Sequence, residues 1–288
     1  MSDQALARAV AEWYDGAARP LPWRHPGATA WAILVSEVML QQTPVARVLP
    51  VYEAWLDRWP DPPALATASP AEVVREWGRL GYPRRALRLQ QAARVLVERY
   101  GGSVPTDLTE LLALPGVGTY TARAVAVFAL GQRHPVVDTN VRRVVARAVE
   151  GCADAPVTRS ALALVDSLLP ADVRRAAIAS AALMELGALV CTSRRPRCAL
   201  CPLRERCCWL ARGAPPSALR RPAQAYAGTD RQARGRILAL LQQATEPIAD
   251  VDIAAVWDEP TQRVRALDSL LADGLAVALG DGRYALPA

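Results

Sequence analysis

The chain has 288 residues, is 52% hydrophobic and only 6% aromatic, and carries a formal net charge of +6. That is enough chain for one large domain or two modest ones with real cores, and its Ala- and Leu-rich balance favours helices over sheets. Two chemistries are excluded at once: no run of 18 uncharged apolar residues exists to cross a membrane, and all 34 basic residues are arginine, so no lysine can form a Schiff base. The N-terminus opens on an amphipathic Arg/Glu pattern rather than the apolar run of a secretory signal, and a cytoplasmic setting is expected. The basic balance suits a polyanionic partner, although an ordinary basic surface gives the same number.

Residues 1–212 read as successive amphipathic helices. Trp31, Leu34, Val35 and Val38 form an i, i+3, i+4, i+7 stripe. Helix breakers then recur at Pro60–Pro63, Ser69–Pro70, Gly81–Pro83, Gly101–Pro105, Pro115–Gly118, Gly131–Pro135 and Pro170, spaced for helices of ordinary length. The run Leu114-Pro115-Gly116-Val117-Gly118 separates an apolar helix end at Leu111 and Leu112 from a helix beginning near Thr119. Its glycines, Gly116 and Gly118, allow a tight turn and a close approach, and free N–H groups at the new helix start can face an anion. Alone, such a turn is more often a plain helix connection. His134 to Val141 reads as another helix start, with Asp138 in the N-cap position.

Residues 213–229 hold Pro215, Pro216 and Pro222 and read as a linker. Residues 230–288 read as a small domain. Helices are expected near Arg236–Leu241, Ile248–Trp257 and Thr261–Leu271. A β-hairpin follows, running from Leu275 to Leu279 and from Arg283 to Leu286 around Gly280-Asp281-Gly282. Helices followed by a hairpin resemble a winged helix. Its net charge is −3, whereas residues 1–229 carry +9, so phosphate attraction is assigned to the first part and an interface or packing role to the tail.

Five of the six cysteines fall within 18 residues, which reads as a metal or cluster site rather than disulfides. The order is Cys191-x6-Cys198-x2-Cys201-x5-Cys207. Four thiolates can hold a [4Fe–4S] cluster, and a structural zinc site would more often show two close cysteine pairs. By spacing alone Cys208 could stand in for Cys207, and Cys152 reads as a small buried residue. Arg194, Arg195, Arg197, Arg204 and Arg206 surround these positions and could present charge to phosphates.

These pieces occur together with Leu80-Gly81-Tyr82, with Leu21-Pro22-Trp23-Arg24, and with Ser36-Glu37-Val38-Met39-Leu40-Gln41-Gln42-Thr43. In that combination the sequence resembles the helix–hairpin–helix glycosylase superfamily, which includes endonuclease III and MutY. The last two segments look like the adenine-excising MutY family specifically. The resemblance covers residues 20 to 208. It implies an all-α fold class: a two-lobed helix–hairpin–helix glycosylase domain over 1–212, with the cluster loop at 191–208, the linker at 213–229, and the winged-helix-like domain at 230–288.

Base excision needs a protonated leaving purine and a stabilised oxocarbenium ion. Glu37 lies at the edge of the apolar stripe, where partial burial would raise its pKa. Without its motif it reads as a surface Glu on a helix flank; the resemblance makes it the general acid. The resemblance makes Asp138 the stabiliser or nucleophile, and N–H groups at the helix start would hold it ionised. Asn140 and Tyr120 match residues that position Asp138 and the sugar. Endonuclease III-like enzymes carry at the position of Tyr120 a lysine that attacks the sugar and leads to strand cleavage. Tyrosine cannot do that, so a monofunctional enzyme is implied. Glu185 matches a residue that contacts the flipped adenine, and Trp23, Arg24 and Leu40 match pocket residues. Gln42 and Tyr82 match side chains that wedge into the base stack, and Thr43 is available to recognise the opposing base.

The implied activity is removal of adenine opposite 8-oxoguanine or guanine in double-stranded DNA, by a monomer carrying one [4Fe–4S] cluster. A thymine/uracil mismatch glycosylase and a non-catalytic iron–sulfur DNA-binding protein are the alternatives. Pro83 stands where the better-known pattern has Tyr, and Arg123 where Gly is common. Residues 230–288 are too short and too helical for the NUDIX-like domain of many MutY proteins.

Overall fold

A computed structural model of the chain describes residues 3–217 and 226–288; the expected linker thus falls partly, Pro222 included, outside the described residues. The helices in chain order are α1 (Asp3–Ala17), α2 (Ala30–Leu40), α3 (Val45–Arg58), α4 (Pro62–Thr67), α5 (Pro70–Trp77), α6 (Arg84–Tyr100), α7 (Leu108–Ala113), α8 (Thr119–Phe128) and α9 (Thr139–Val145). They continue with α10 (Arg159–Leu168), α11 (Val173–Leu189), α12 (Cys208–Ala211), α13 (Asp230–Gln243), α14 (Asp250–Val256) and α15 (Pro260–Ala272). The chain is mostly helical, as its composition implies. No described helix is long and apolar enough to cross a membrane.

Local chemistry sets the boundaries. Asp61, Thr158 and Asp172 accept from the backbone N–H groups of Ala64, Ala161 and Arg175, capping α4, α10 and α11. Ser69 and Glu72 form a reciprocal capping box on α5, with Pro70 at its first position. Gly101 ends α6 at φ 60°, a left-handed conformation that glycine adopts without a Cβ penalty.

Contacts group the chain into two units. The first comprises Met1–Ile33, Thr106–Leu112 and Val117–Arg221. Its core joins α1, α9, α10 and α11 through Leu6, Val10, Val141, Val165, Leu168 and Leu183. The second comprises Leu34–Pro105, Ala113–Gly116 and Pro222–Ala288. Trp55 is central there, meeting Trp59 and Trp77 edge-on at centroid distances of 4.6 and 5.6 Å.

The stripe expected on α2 is not what forms. All of Trp31 to Met39 is buried, so α2 is a core helix buried all round rather than an amphipathic one. In the C-terminal segment Ile248–Ala249 is a strand, β1, rather than the start of a helix. The hairpin forms where the sequence puts it, as β2 (Val277–Ala278) and β3 (Arg283–Ala285), with Val277 opposite Ala285. The antiparallel sheet has the order β1-β3-β2. The same segment carries the helices α13 to α15.

Candidate active site and cysteine loop

In the second unit, Glu37 lies on α2 with only 5% exposure, next to the fully buried Ser36. Leu40 ends the same helix, and the turn after it carries Gln42 and Thr43. Gln42 (φ 57°) and Tyr82 (φ 48°) are two non-glycine residues in the left-handed region. Non-glycine residues hold that conformation only where their surroundings over-determine it. Here the two turns are tied to each other. Thr43 Oγ1 donates to the Leu80 carbonyl at 3.1 Å. Arg85, on α6, donates through Nη1 to the carbonyls of Val38, Met39 and Gln41 at 2.7, 3.0 and 2.7 Å. Its Nη2 donates to Thr43 Oγ1 at 3.0 Å and to the Gly81 carbonyl at 2.9 Å.

The Arg85 guanidinium also lies 5.1 Å from the Trp77 ring centroid and 5.6 Å from that of Tyr82. Burial pulls its pKa down to about 10, which leaves it charged at neutral pH. Gly116 approaches this unit's α6 closely: a Cβ there would lie 3.0 Å from Arg88 Cβ, and its φ is +78°.

In the first unit, Asp138 is the N-cap of α9. Its Oδ1 accepts from the Val141 N–H at 2.7 Å, and its Oδ2 accepts from Asn140 Nδ2 at 2.8 Å. The sequence suggests that helix-start N–H groups lower this carboxyl's pKa. They do pull it down, but burial outweighs them and the net shift is upward. Arg143 continues the chain of contacts, donating to Asn140 Oδ1 at 2.8 Å and to the carbonyls of Gly187 and Cys191 at 2.6 and 2.7 Å. Gly187 is where α11 meets α9: an added Cβ would lie 2.6 Å from Asn140 Cβ. Gly118 caps α8 without a side-chain bond, and Tyr120, on its first turn, packs against Ala124, Val127 and Val136.

Glu185, on α11, is fully buried. Its Oε1 accepts from Arg19 Nε at 2.7 Å and from the Arg19 backbone N–H at 3.0 Å. Its Oε2 accepts from Arg19 Nη2 at 2.7 Å and Arg24 Nη2 at 2.9 Å. Burial pushes its pKa up, but these arginine bonds outweigh it and bring the carboxyl down to about 2. Trp23, buried, stands beside Arg24 in a short 3-10 turn over Pro22–Arg24.

Cys191, Cys198, Cys201 and Cys207 line one cavity with Arg147, Arg204 and Trp209. Cys208 is not among its walls. Among the described residues no three Cys, His, Asp or Glu side chains converge tightly enough for a single metal ion. Arg147 stacks on Trp209, 4.6 Å from its centroid, and donates to the carbonyls of Thr192, Ser193 and Ala153. Cys152 is exposed, contrary to the sequence reading: it follows Gly151 in the loop after the π-turn Ala146–Glu150, not a core helix. The five arginines around the cysteines all reach solvent. Arg85, Arg19 and Arg147 are side chains that sequence reasoning did not single out. Arg85 and Arg147 bond mainly backbone carbonyls, which leave no mark in the sequence, and Arg19 bonds Glu185, 166 residues away.

The model of the HhH-GPD superfamily of base excision DNA repair proteins matches residues 35–163. The fold is similar to that of a thermostable thymine-DNA glycosylase, with a TM-score of 0.66 and 26% identity over 73% of this chain and 97% of that one. A curated adenine DNA glycosylase of Mycolicibacterium smegmatis is 57% identical over 275 residues, 95% of this chain and 93% of that protein. The Homo sapiens adenine DNA glycosylase is 44% identical over 218 residues, 70% of this chain and 39% of its own length. The chain therefore belongs to the helix–hairpin–helix superfamily of base excision DNA repair proteins. Within that superfamily it is a member of the adenine DNA glycosylase family.

Proposed function

We propose that the chain removes adenine mispaired with 8-oxoguanine or guanine from double-stranded DNA, hydrolysing the N-glycosidic bond without cutting the strand. The observation that carries this reading is the setting of Asp138. Its carboxylate is fixed by a backbone N–H and a side-chain amide while burial works against its charge. Such a group gains most when positive charge develops beside it, as it does on deoxyribose when the purine leaves. Glu37 is the proton donor, and its burial on α2 supports that role. The glycosidic electron pair departs with the purine, which takes the Glu37 proton. Water's oxygen bonds the vacated sugar carbon, and its proton passes to a carboxylate of the site.

Asn140 holds Asp138, and Tyr120 stands where an amine would have to act. With no lysine in the chain, no side-chain amine can attack the sugar, which supports base removal without strand scission. Trp23, Arg24, Leu40 and Glu185 receive the flipped base. Gln42 and Tyr82 fill the gap it leaves, Thr43 faces the opposing base, and Gly116 and Gly118 admit a phosphate.

Cys191, Cys198, Cys201 and Cys207 would hold one [4Fe–4S] cluster. Four thiolate donors spread round one cavity, rather than converging on a point, suit a multi-atom group. When bound, the cluster supplies a rigid tie across the loop whose exposed arginines meet phosphates. Purified protein is expected to contain about four irons per chain; stoichiometric zinc would overturn that assignment. The reading carries with it a monomer working in the cytoplasm, on the chromosome.

The excision test uses duplexes carrying A, T or U opposite 8-oxoguanine or G, followed by hot alkali. Breaks are expected only at A. Breaks at T or U would favour the second reading, a thymine or uracil mismatch glycosylase, which the likeness to a thymine-DNA glycosylase fold keeps in view. No breaks anywhere would leave a non-catalytic DNA-binding protein.

A further inference from the structure

The C-terminal segment has no task in the chemistry above, and its net charge of −3 suits it poorly to a DNA backbone. Its packing within the second unit is specific. Its core, built on Ile237, Leu241 and Leu270, is closed by the fully buried Val74 of α5. Ala71 of α5 and Leu87 of α6 pack against the same cluster. α5 ends at Trp77 and α6 begins at Arg84, so both helices that frame the Tyr82 turn bury side chains in this core.

Polar contacts fall at both ends of the same turn. Gln242 Nε2 donates to the Val74 carbonyl at 2.7 Å and lies 3.4 Å from that of Gly78, the C-cap of α5. Arg75 donates to the Ala244 carbonyl at 3.2 Å. On the other side Arg84 pairs with Asp273 at 3.0 Å, and Asp273 also holds Arg234.

We propose that residues 226–288 brace the turn that carries Tyr82, with Gln242 and Asp273 as its positioning residues. The inference rests on the reading of Tyr82 as a wedge. Displacing a nucleotide costs a few kcal/mol, and a side chain can help to bear that cost only if its backbone does not yield. Tyr82 is half exposed and sits at φ 48°, a conformation that only its surroundings can hold. Arg85 fixes the turn against the end of α2. The C-terminal core and its two polar clasps fix the helices on either side.

The test uses full-length protein and a duplex with 2-aminopurine, a fluorescent adenine analogue, opposite 8-oxoguanine. Gln242→Ala/Asp273→Ala is expected to lose most of the fluorescence rise that accompanies unstacking and to slow single-turnover excision of adenine by about fivefold, one hydrogen bond's worth. Hydrogen exchange at 78–84 should quicken, while iron content and affinity for undamaged duplex stay as in the parent. Gln242→Glu has the same shape but cannot donate to the Val74 carbonyl, and it decides the matter if the double variant does not fold. Tyr82→Ala is the control for the wedge. If Tyr82→Ala fails to unstack the base while both brace variants match the parent, the brace is overturned. If Tyr82→Ala unstacks it normally, the wedge reading has failed and the brace falls with it.

Discussion

Asp138 and Glu185 are both buried carboxylates, and their surroundings drive them in opposite directions. Asp138 has amide donors and only the weaker, unbonded pull of Arg143, so burial wins; Glu185 has two guanidiniums bonded to it, so burial loses. Asp138→Asn keeps the cap, since Asn caps a helix as well as Asp does, and removes a charge that the site disfavours. Turnover should vanish, DNA binding should persist, and the melting temperature should hold or rise. A carboxyl with a raised pKa lends its stability at low pH and loses it as pH climbs through the folded value. The variant's advantage should therefore widen with pH. Near-normal turnover would remove Asp138 from the chemistry.

Glu185 has the opposite sign. Its stabilisation is complete above about 4.5 and disappears as pH falls toward about 2. Glu185→Gln should cost about 3 kcal/mol at pH 7, the low end for breaking a buried pair because Arg19 and Arg24 keep some access to water. Urea denaturation at stepped pH should show that deficit shrinking between 4.5 and 2. A deficit independent of pH would mean the ion pair is not its source.

Among the elements, the contact of α9 with α11 is the least tolerant. Gly187 faces Asn140 with no room for a methyl group, and its carbonyl accepts from Arg143. Gly187→Ala should therefore cost about 2 kcal/mol of stability and, by shifting the helix start, most of the excision rate. Calorimetry together with single-turnover rates checks both; a fully active variant would show that α9 can slide without moving Asp138. Breaks between helices were legible at Pro60–Pro63, Ser69–Pro70 and Pro170, as was the N-cap at Asp138, because their chemistry is local to the chain. What was not legible involves distant partners. α2 looked amphipathic since its stripe is real, but its remaining positions are also buried, under elements the sequence does not announce. Ile248 looked helical and pairs instead with Tyr284. Arg85 escaped notice because three of its five acceptors are carbonyls more than 40 residues away. Asp138, Glu37 and the cysteine spacing stood out because motif and chemistry coincided.

Taken whole, the chain divides its charge. The +9 of residues 1–229 against the −3 of the tail predicts DNA affinity that falls steeply with salt. Arg194→Ala and Arg195→Ala should each flatten the log–log slope by about one unit, whereas Arg263→Ala in the tail should leave it unchanged. Fluorescence anisotropy across a salt series distinguishes them, and equal effects at all three sites would dismiss the loop as the phosphate contact.

The shared core of α5 with α13 and α15 also bears on how the protein is made. Val74 emerges from the ribosome long before Ile237 and Leu270, the side chains that cover it. The first unit has the same property, since α1 packs on α11. Neither unit can close on a half-synthesised chain, so contacts of this sequence separation make folding late as well as slow. A nascent chain stalled before residue 230 should hold the Val74 face open to chaperones, and a frameshift that replaces residues 230–288 should lower the amount of protein in the cell more than it alters the chemistry of the molecules that survive.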